Sequence, residues 1–240
     1  NMQRLKGEGI WFENFFANSF RTDRGEVAIL SGFPAQTRMS VMKLPAKSRN
    51  LPSVARSLAG EGYKTSFAYG GDLNFTNQAS YMYATGWQEL IWQKDLRFDA
   101  PASDWGYDDA LMCDWFADRV IALSGKGEPF LAGMLTLSSH RPFDVPFSKF
   151  DDKELNAFAF SDECVGRMVD KLLLVLVADH GYPWPRSLSY NEPLRHRIPM
   201  IWLGGAVAAP RVVDTYASQI DICATILGQL GMDHSDFDYS

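Results

Sequence analysis

Apolar positions fall in short blocks along the chain, and the period changes from block to block. Asn1 to Lys6 reads as a helix end closed by Gly7 and Gly9, and Ile10-Trp11-Phe12-Glu13-Asn14-Phe15-Phe16 as an aromatic strand. The polar stretch Asn18 to Gly25 leads into an apolar helical run from Val27 to Leu30. Asn50-Leu51-Pro52-Ser53 predicts a helix start, with Asn50 as N-cap and Pro52 in the first turn, running to Gly60 or Gly62. Lys64 to Tyr69 predicts a short strand that stops at Gly70-Gly71, and Asp108 to Leu123 a helix with Leu111, Trp115, Val120 and Leu123 on its apolar side. Phe130 to Leu137 predicts a buried strand, Leu155 to Val169 a helix, and Leu172 to Ala178 a fully apolar strand. Ile198 to Leu203 predicts one more strand and Ser218 to Leu230 a last helix.

Strands alternating with helices imply an α/β layered fold around a mainly parallel sheet. A length of 240 residues is one large domain or two small ones, at roughly 150 residues per domain, and no internal repeat divides it. One junction departs from the pattern. The helix reaching Asp170-Lys171 runs into Leu172-Leu173-Leu174-Val175 with no turn residues between, which predicts that residues are missing from the sequence there.

Composition narrows the functional classes. With 46% hydrophobic residues the chain has enough apolar surface to fold, which excludes a disordered tail. Twenty-three Lys and Arg against 29 Asp and Glu leave a net charge of -6, and no basic stripe is available to a nucleic acid. No run approaches the roughly 18 apolar residues of a membrane span. The opening Asn-Met-Gln-Arg reads as a cut inside a longer protein. Cys113, Cys164 and Cys223 are odd in number and far apart, so they predict buried thiols rather than a disulfide framework or a zinc site.

Three loops that follow strand-like runs carry the polar chemistry, at the strand ends where open α/β sheets collect ligands. Asp179-His180-Gly181 offers a carboxylate and an imidazole, typical metal ligands; the alternative is an aspartate bonded to its own loop. Thr22, between Arg21 and Arg24 just ahead of an apolar helix, suits a tetrahedral anion; the alternative is that Thr22 or Asp23 is an N-cap. His140, beside Arg141, is a candidate general acid or ligand for a substrate oxygen, or a loop cap. The turn Gly70 to Asn77 gathers Asp72, Asn74 and Asn77, which could read hydroxyls or phosphate oxygens, or simply build the turn. His196 reads as structural or surface, and His234 as tail.

In order, Asn14-Phe15-Phe16-Ala17-Asn18-Ser19-Phe20-Arg21-Thr22-Asp23-Arg24-Gly25, Ser31-Gly32-Phe33-Pro34, Leu135-Thr136-Leu137-Ser138-Ser139-His140-Arg141-Pro142-Phe143 and Ala178-Asp179-His180-Gly181 resemble the sulfatase-like branch of the alkaline phosphatase superfamily. Within it they are most similar to phosphoglycerol transferases of the lipoteichoic acid synthase type. The resemblance implies a three-layer αβα sandwich around a mainly parallel mixed sheet. It takes residues 1–240 as a single catalytic domain that lacks its first strand, cut from a longer membrane protein.

The resemblance further implies that Thr22 is nucleophile and metal ligand, that Asp179 and His180 are further ligands, and that His140 contacts the substrate phosphate. Arg21, Arg24, Asp72, Asn74 and Asn77 remain substrate-binding candidates on their own chemistry, since the His, Trp and Arg of the family's glycerol-phosphate pocket have no match in the segment from Tyr69 to Gln78. One divalent ion is implied, manganese first, with magnesium or zinc as alternatives. The fourth ligand of the family, a glutamate ending the first strand, has no counterpart here. The implied reaction is transfer of a phospho group from a phospholipid or other phosphodiester donor to a glycan or glycerol-type acceptor. Membrane attachment would come through N-terminal helices outside this chain, with the domain on the extracytoplasmic side and no nucleic acid as partner. Ser19-Phe20-Arg21-Thr22 lacks the proline of the formylglycine motif of true sulfatases. A phosphate or sulfate ester hydrolase with the same site, and a non-catalytic glycan-binding relative, are the alternatives.

Overall fold

The computed structural model describes residues 1–100, 102–169, 174–184, 186–189 and 191–240. In chain order its helices and strands are α1 (Met2–Lys6), β1 (Ile10–Phe12), β2 (Phe15–Phe16), α2 (Thr22–Ser31), α3 (Pro45–Ser48), α4 (Val54–Gly60), β3 (Lys64–Tyr69), α5 (Gln78–Ala84) and β4 (Glu89–Trp92). They continue with α6 (Asp109–Ser124), β5 (Phe130–Leu135), α7 (Lys153–Val169), β6 (Leu174–Val177), β7 (Met200–Leu203), β8 (Arg211–Val213), β9 (Ala217–Ser218) and α8 (Asp221–Gln229).

The strand β3 is the middle of a parallel sheet in the order β4-β3-β5. Its side chains alternate between two cores, as the two-residue period of a strand requires. Phe67 and Tyr69 point into a cluster with Val27 of α2, Ala55 of α4 and Tyr81 of α5. Ala68 points the other way, toward Cys113 and Phe116 of α6 and Phe160 and Cys164 of α7. Helices therefore cover both faces, and the architecture is the three-layer αβα sandwich the sequence implied. A second sheet, β6-β7-β1-β8, is mixed: β7 runs antiparallel to both neighbours, and β8 parallel to β1. Ala132 and Met134 of β5 pack in one cluster with Leu174 of β6. Yet β5 and β6 are not paired with each other, and each has one partner strand among the described residues.

Several elements differ from the sequence reading, each for a local reason. The aromatic strand breaks at Glu13-Asn14, where the Asn14 amide donates to the Asp214 carbonyl (2.8 Å) and β2 leaves to pair with β9. That pairing takes Ala217 and Ser218, so the last helix starts at Asp221 instead of Ser218. The helix expected from Val27 already begins at Thr22. Ser53, not Asn50, caps α4, its hydroxyl accepting from Ala55 N. The strands β4 and β8, four and three residues long, carry too few positions to show a period. The junction at Asp170-Lys171, with Leu172 and Leu173 of the expected strand, lies outside the described residues. No helix among the described residues is long and apolar enough to cross a membrane.

Candidate active site

Thr22 is the first residue of α2, and the residue ahead of it, Arg21, is extended (φ -139°, ψ 135°). No side chain caps this helix, so the N-cap reading of Thr22 or Asp23 is not what the structure builds. Among the described residues the amides of Thr22 and Asp23 are left open at the positive end of the helix dipole, whereas the Arg24 amide donates to the Arg21 carbonyl (3.1 Å). Three residues on, Gly25 packs directly onto the backbone of Asp179; any β-carbon there would lie 1.9 Å from the Asp179 carbonyl oxygen. That contact seats the first turns of α2 against the Asp179-His180 loop.

Within the loop, hydrogen bonds fix the orientation of both side chains. The carbonyl of Gly181 can only accept, so the His180 Nδ1 atom, 3.0 Å away, carries the proton and donates. The other ring nitrogen, Nε2, stands 3.5 Å from Asp179 Oδ2 and in the neutral ring carries the lone pair. Two ligand atoms held about 2.1 Å from one ion stand roughly 3.0–3.5 Å apart, so this spacing matches a shared divalent ion. A backbone carbonyl orienting the far nitrogen is the usual partner of a ligating histidine. Asp179 Oδ1 accepts from the His180 amide (2.9 Å), which locks the pair.

Acidic groups crowd the same place. Glu26, one helical turn after Thr22, is 3% exposed, and neither of its oxygens has a hydrogen-bond partner among the described residues. Burial, then Asp179, then Asp23 push its carboxyl well above the ordinary range. Asp23 Oδ1 is likewise buried without a hydrogen bond, and Lys43 and Arg21 approach Asp23 only to 3.7 and 3.8 Å. Burying carboxyl oxygens without hydrogen bonds is costly, and a bound cation would relieve them. On these two observations the residues fit a divalent ion. Among the described residues no three His, Cys, Asp or Glu side chains already cluster around one point.

His140 comes from the loop after β5. Its Nδ1 donates to the Arg141 carbonyl (2.7 Å), which leaves Nε2 as the atom available to a substrate oxygen. One ring contact ties this loop to the Asp179-His180 loop: Phe143 meets the Tyr182 ring edge-on (centroids 6.4 Å). The loop is anchored from below by Asp109, which is fully buried. Asp109 Oδ1 accepts from Leu137 N (2.7 Å) and Ser138 N (3.1 Å), and Oδ2 from the Ser161 hydroxyl (2.6 Å). Trp105 stacks on the other side of the His140 ring (4.5 Å) and edge-on to Phe75 (5.6 Å). Its turn lies flat on Gly70-Gly71 because Gly106, at φ +135°, has no side chain; a β-carbon would stand 2.2 Å from the Gly70 oxygen.

The remaining residues singled out from the sequence divide. Arg21 is exposed, and the Arg24 guanidinium reaches the Arg38 carbonyl (3.2 Å). Asp72 Oδ1 accepts from both the amide and the side chain of Asn74, an Asx turn at the end of β3. Asn77 is committed elsewhere, its amide donating to the Met42 carbonyl (2.8 Å). Tyr69, the last residue of β3, marks the meeting point: burial raises its hydroxyl, followed by Glu26, Asp179, Asp109 and Asp72. His196 stacks on Phe20 at 4.1 Å, and its carbonyl accepts from Ala17 N. Glu26 and Asp109 were missed in the sequence because each sits where a helix start expects an acid. Only burial separates them from ordinary helix residues.

An α/β sandwich with a hydroxyl-bearing helix start, an Asp-His loop and a histidine loop at the strand ends is an enzyme of the alkaline phosphatase superfamily. The matching family model is Sulfatase, over residues 1–232, and the chain belongs to that family. A curated relative, phosphoglycerol transferase I of Xanthomonas campestris pv. campestris, is 25% identical over 261 residues, covering 95% of this chain and 36% of its own length. A crystal structure of an alkaline phosphatase superfamily protein from Vibrio parahaemolyticus superposes with a TM-score of 0.86 at 26% identity, over 97% of this chain and 60% of that one. The lipoteichoic acid synthase LtaP from Listeria monocytogenes superposes with a TM-score of 0.87 at 18% identity, over 98% of this chain and 66% of that one. The chain thus spans about a third of the curated relative's length.

Proposed function

We propose that this domain transfers a phosphoglycerol or related phospho group from a phosphodiester donor to a glycan or glycerol-type acceptor. Thr22 is the nucleophile in this reading. The observation that carries it is the contact of Gly25 with Asp179, which sets an uncapped helix start bearing a hydroxyl beside an Asp-His pair spaced for a cation.

In the first step the Thr22 oxygen loses its proton to solvent and bonds to phosphorus, while the bond from phosphorus to the leaving alcohol breaks. His140, entering this step doubly protonated, gives its Nε2 proton to that alcohol. In the second step the acceptor hydroxyl gives its proton to His140 Nε2 and bonds to phosphorus, while the bond from phosphorus to Thr22 breaks and the Thr22 oxygen regains a proton from solvent. The amides that start α2, and the Arg24 guanidinium, would stabilise charge gathering on an anionic oxygen. Asp179 and His180, with Thr22, would hold a divalent ion, manganese first, which when bound lowers the hydroxyl's proton affinity and neutralises charge.

The same reading takes residues 1–240 as one catalytic domain short of a strand. The support is the unpaired pair of edges on β5 and β6, which share a cluster of apolar side chains without sharing hydrogen bonds. A phospholipid donor would place the domain on the outer side of a membrane, anchored by sequence outside these 240 residues.

The test is turnover of matched aryl phosphodiester, phosphomonoester and sulfate substrates with Mn, for wild type and Thr22→Ala. Preference for the diester and loss of turnover in Thr22→Ala are expected. Preference for the sulfate would replace the transferase with a sulfate ester hydrolase, and full turnover in Thr22→Ala would remove Thr22 as nucleophile.

A further inference from the structure

Gln219 has no counterpart among the residues that sequence or family singled out, yet it joins the two halves of the site. It lies just before α8 and is completely buried. Its Nε2 donates to two carbonyls, Ala178 O (2.9 Å) and Asp179 O (2.7 Å). Its Oε1 accepts from the backbone amide of Asn18 (2.8 Å), four residues ahead of Thr22. Both amide protons and the carbonyl are therefore used, and the orientation is forced: a flipped amide would set NH₂ against N–H and oxygen against two oxygens.

The partners matter more than their number. Asn18 begins the segment that delivers Thr22, whereas Asp179 is the proposed ligand on the far side. The Asp179 carbonyl is held between the Gln219 amide and the bare α-carbon of Gly25, so one peptide group is clamped from both α2 and the chain before α8. Backbone pairing holds Gln219 in turn, its own amide donating to Phe16 O (3.2 Å) at the end of β2. No titrating group takes part, so the clamp is the same at any pH at which the domain is folded.

We propose that Gln219 is a positioning residue: it fixes the separation between the Thr22 segment and the Asp179-His180 loop, and with it the geometry of the divalent-ion site. This rests on the proposed reading of that site. Outer partners of metal ligands typically change metal affinity or activity by about 10–100-fold when removed, and Gln219 is expected to fall in that range.

The test is Mn affinity by calorimetry, with kcat and KM on an aryl phosphodiester, for wild type, Gln219→Glu, Gln219→Met and Thr65→Val. Glu keeps the acceptor for Asn18 but loses both donors to the carbonyls, and Met fills the volume with neither. Thr65 is equally buried on β3, where its hydroxyl serves Gly86 and Gln88 away from the site, so its variant controls for lost stability alone. The expected result is weaker Mn binding and lower kcat in both Gln219 variants, with Mn affinity unchanged in Thr65→Val. Wild-type Mn affinity in Gln219→Glu, or an equal loss in Thr65→Val at matched melting temperature, overturns the positioning role. Wild-type protein that binds no Mn and turns over no diester overturns the underlying site reading instead, and the proposal with it.

Discussion

The α-carbon of Gly25 rests on the carbonyl of Asp179, closely enough that a β-carbon on Gly25 would stand 1.9 Å from its oxygen. The helix that begins at Thr22 is thus seated on the backbone of Asp179, its proposed partner. Sequence distance between the two is more than 150 residues, and the absence of a single methyl group closes it.

Gly25→Ala should therefore harm the site more than an ordinary helix substitution would. In an exposed helix interior alanine is better than glycine by about 1 kcal/mol. Here the overlap is with backbone, which has nowhere to go, and overpacking of this kind costs about 1–3 kcal/mol or more. Denaturant unfolding should show Gly25→Ala destabilised, with diester turnover reduced at least as strongly. A stabilised variant would mean that α2 is free to shift from Asp179.

Asp109 should behave as an anchor for the His140 loop. Asp109→Ala strands two backbone amides and the Ser161 hydroxyl in a dry place, at a cost of at least about 2 kcal/mol. Asp109→Asn keeps an acceptor for Leu137 and Ser138 and can donate to Ser161, so most of the stability should return. Equal loss in the two variants, read from urea midpoints, would show that the hydrogen bonds are not the reason.

Glu26 predicts a pH dependence whose sign is fixed by its surroundings. With no metal present its carboxyl is raised by burial, Asp179 and Asp23. The folded state then keeps a proton that the unfolded state releases above about pH 4.3. Stability in EDTA should fall as pH rises from there toward the raised value, by up to about 1.4 kcal/mol per unit for one proton. Glu26→Gln should flatten that slope. Parallel slopes for variant and wild type between pH 5 and 8 would assign the dependence to other groups.

The three thiols should be silent in the folded protein. All are free and buried, burial pushing Cys164 and Cys223 up to about 12 and Cys113 upward as well. Thiolate is the reactive form. A disulfide reagent at pH 8 should label none of the three in native protein and all three in guanidinium. Rapid labelling of any one without unfolding would place it at the surface.

Much of the fold was legible because period survives in sequence. The strand at Lys64 to Tyr69, stopped by Gly70-Gly71, and the helix from Asp108 onward were visible, and β3 and α6 stand there, although α6 buries Met112, Cys113, Phe116 and Ala117 and not the expected side of Leu111, Trp115, Val120 and Leu123. What failed was local competition: β2 abandons the aromatic strand for a partner some 200 residues away, and Ser218 goes to that pairing instead of to a helix. No pattern in the chain announces a partner so distant. Four motifs in order also pointed to the family, since Thr22, His140, Asp179 and His180 are chemically unusual where they stand.

What the sequence determined by itself was the set of chemical groups and the layered architecture, because residue type and period are local properties. Which of those groups meet was decided by tertiary structure. Asn77, chemically as good a candidate as Asn74, turns to the Met42 carbonyl, whereas a glutamine with no motif around it spans Asn18 and Asp179. A hydrogen bond depends on distance and direction to a specific partner, and those exist only once the chain has folded.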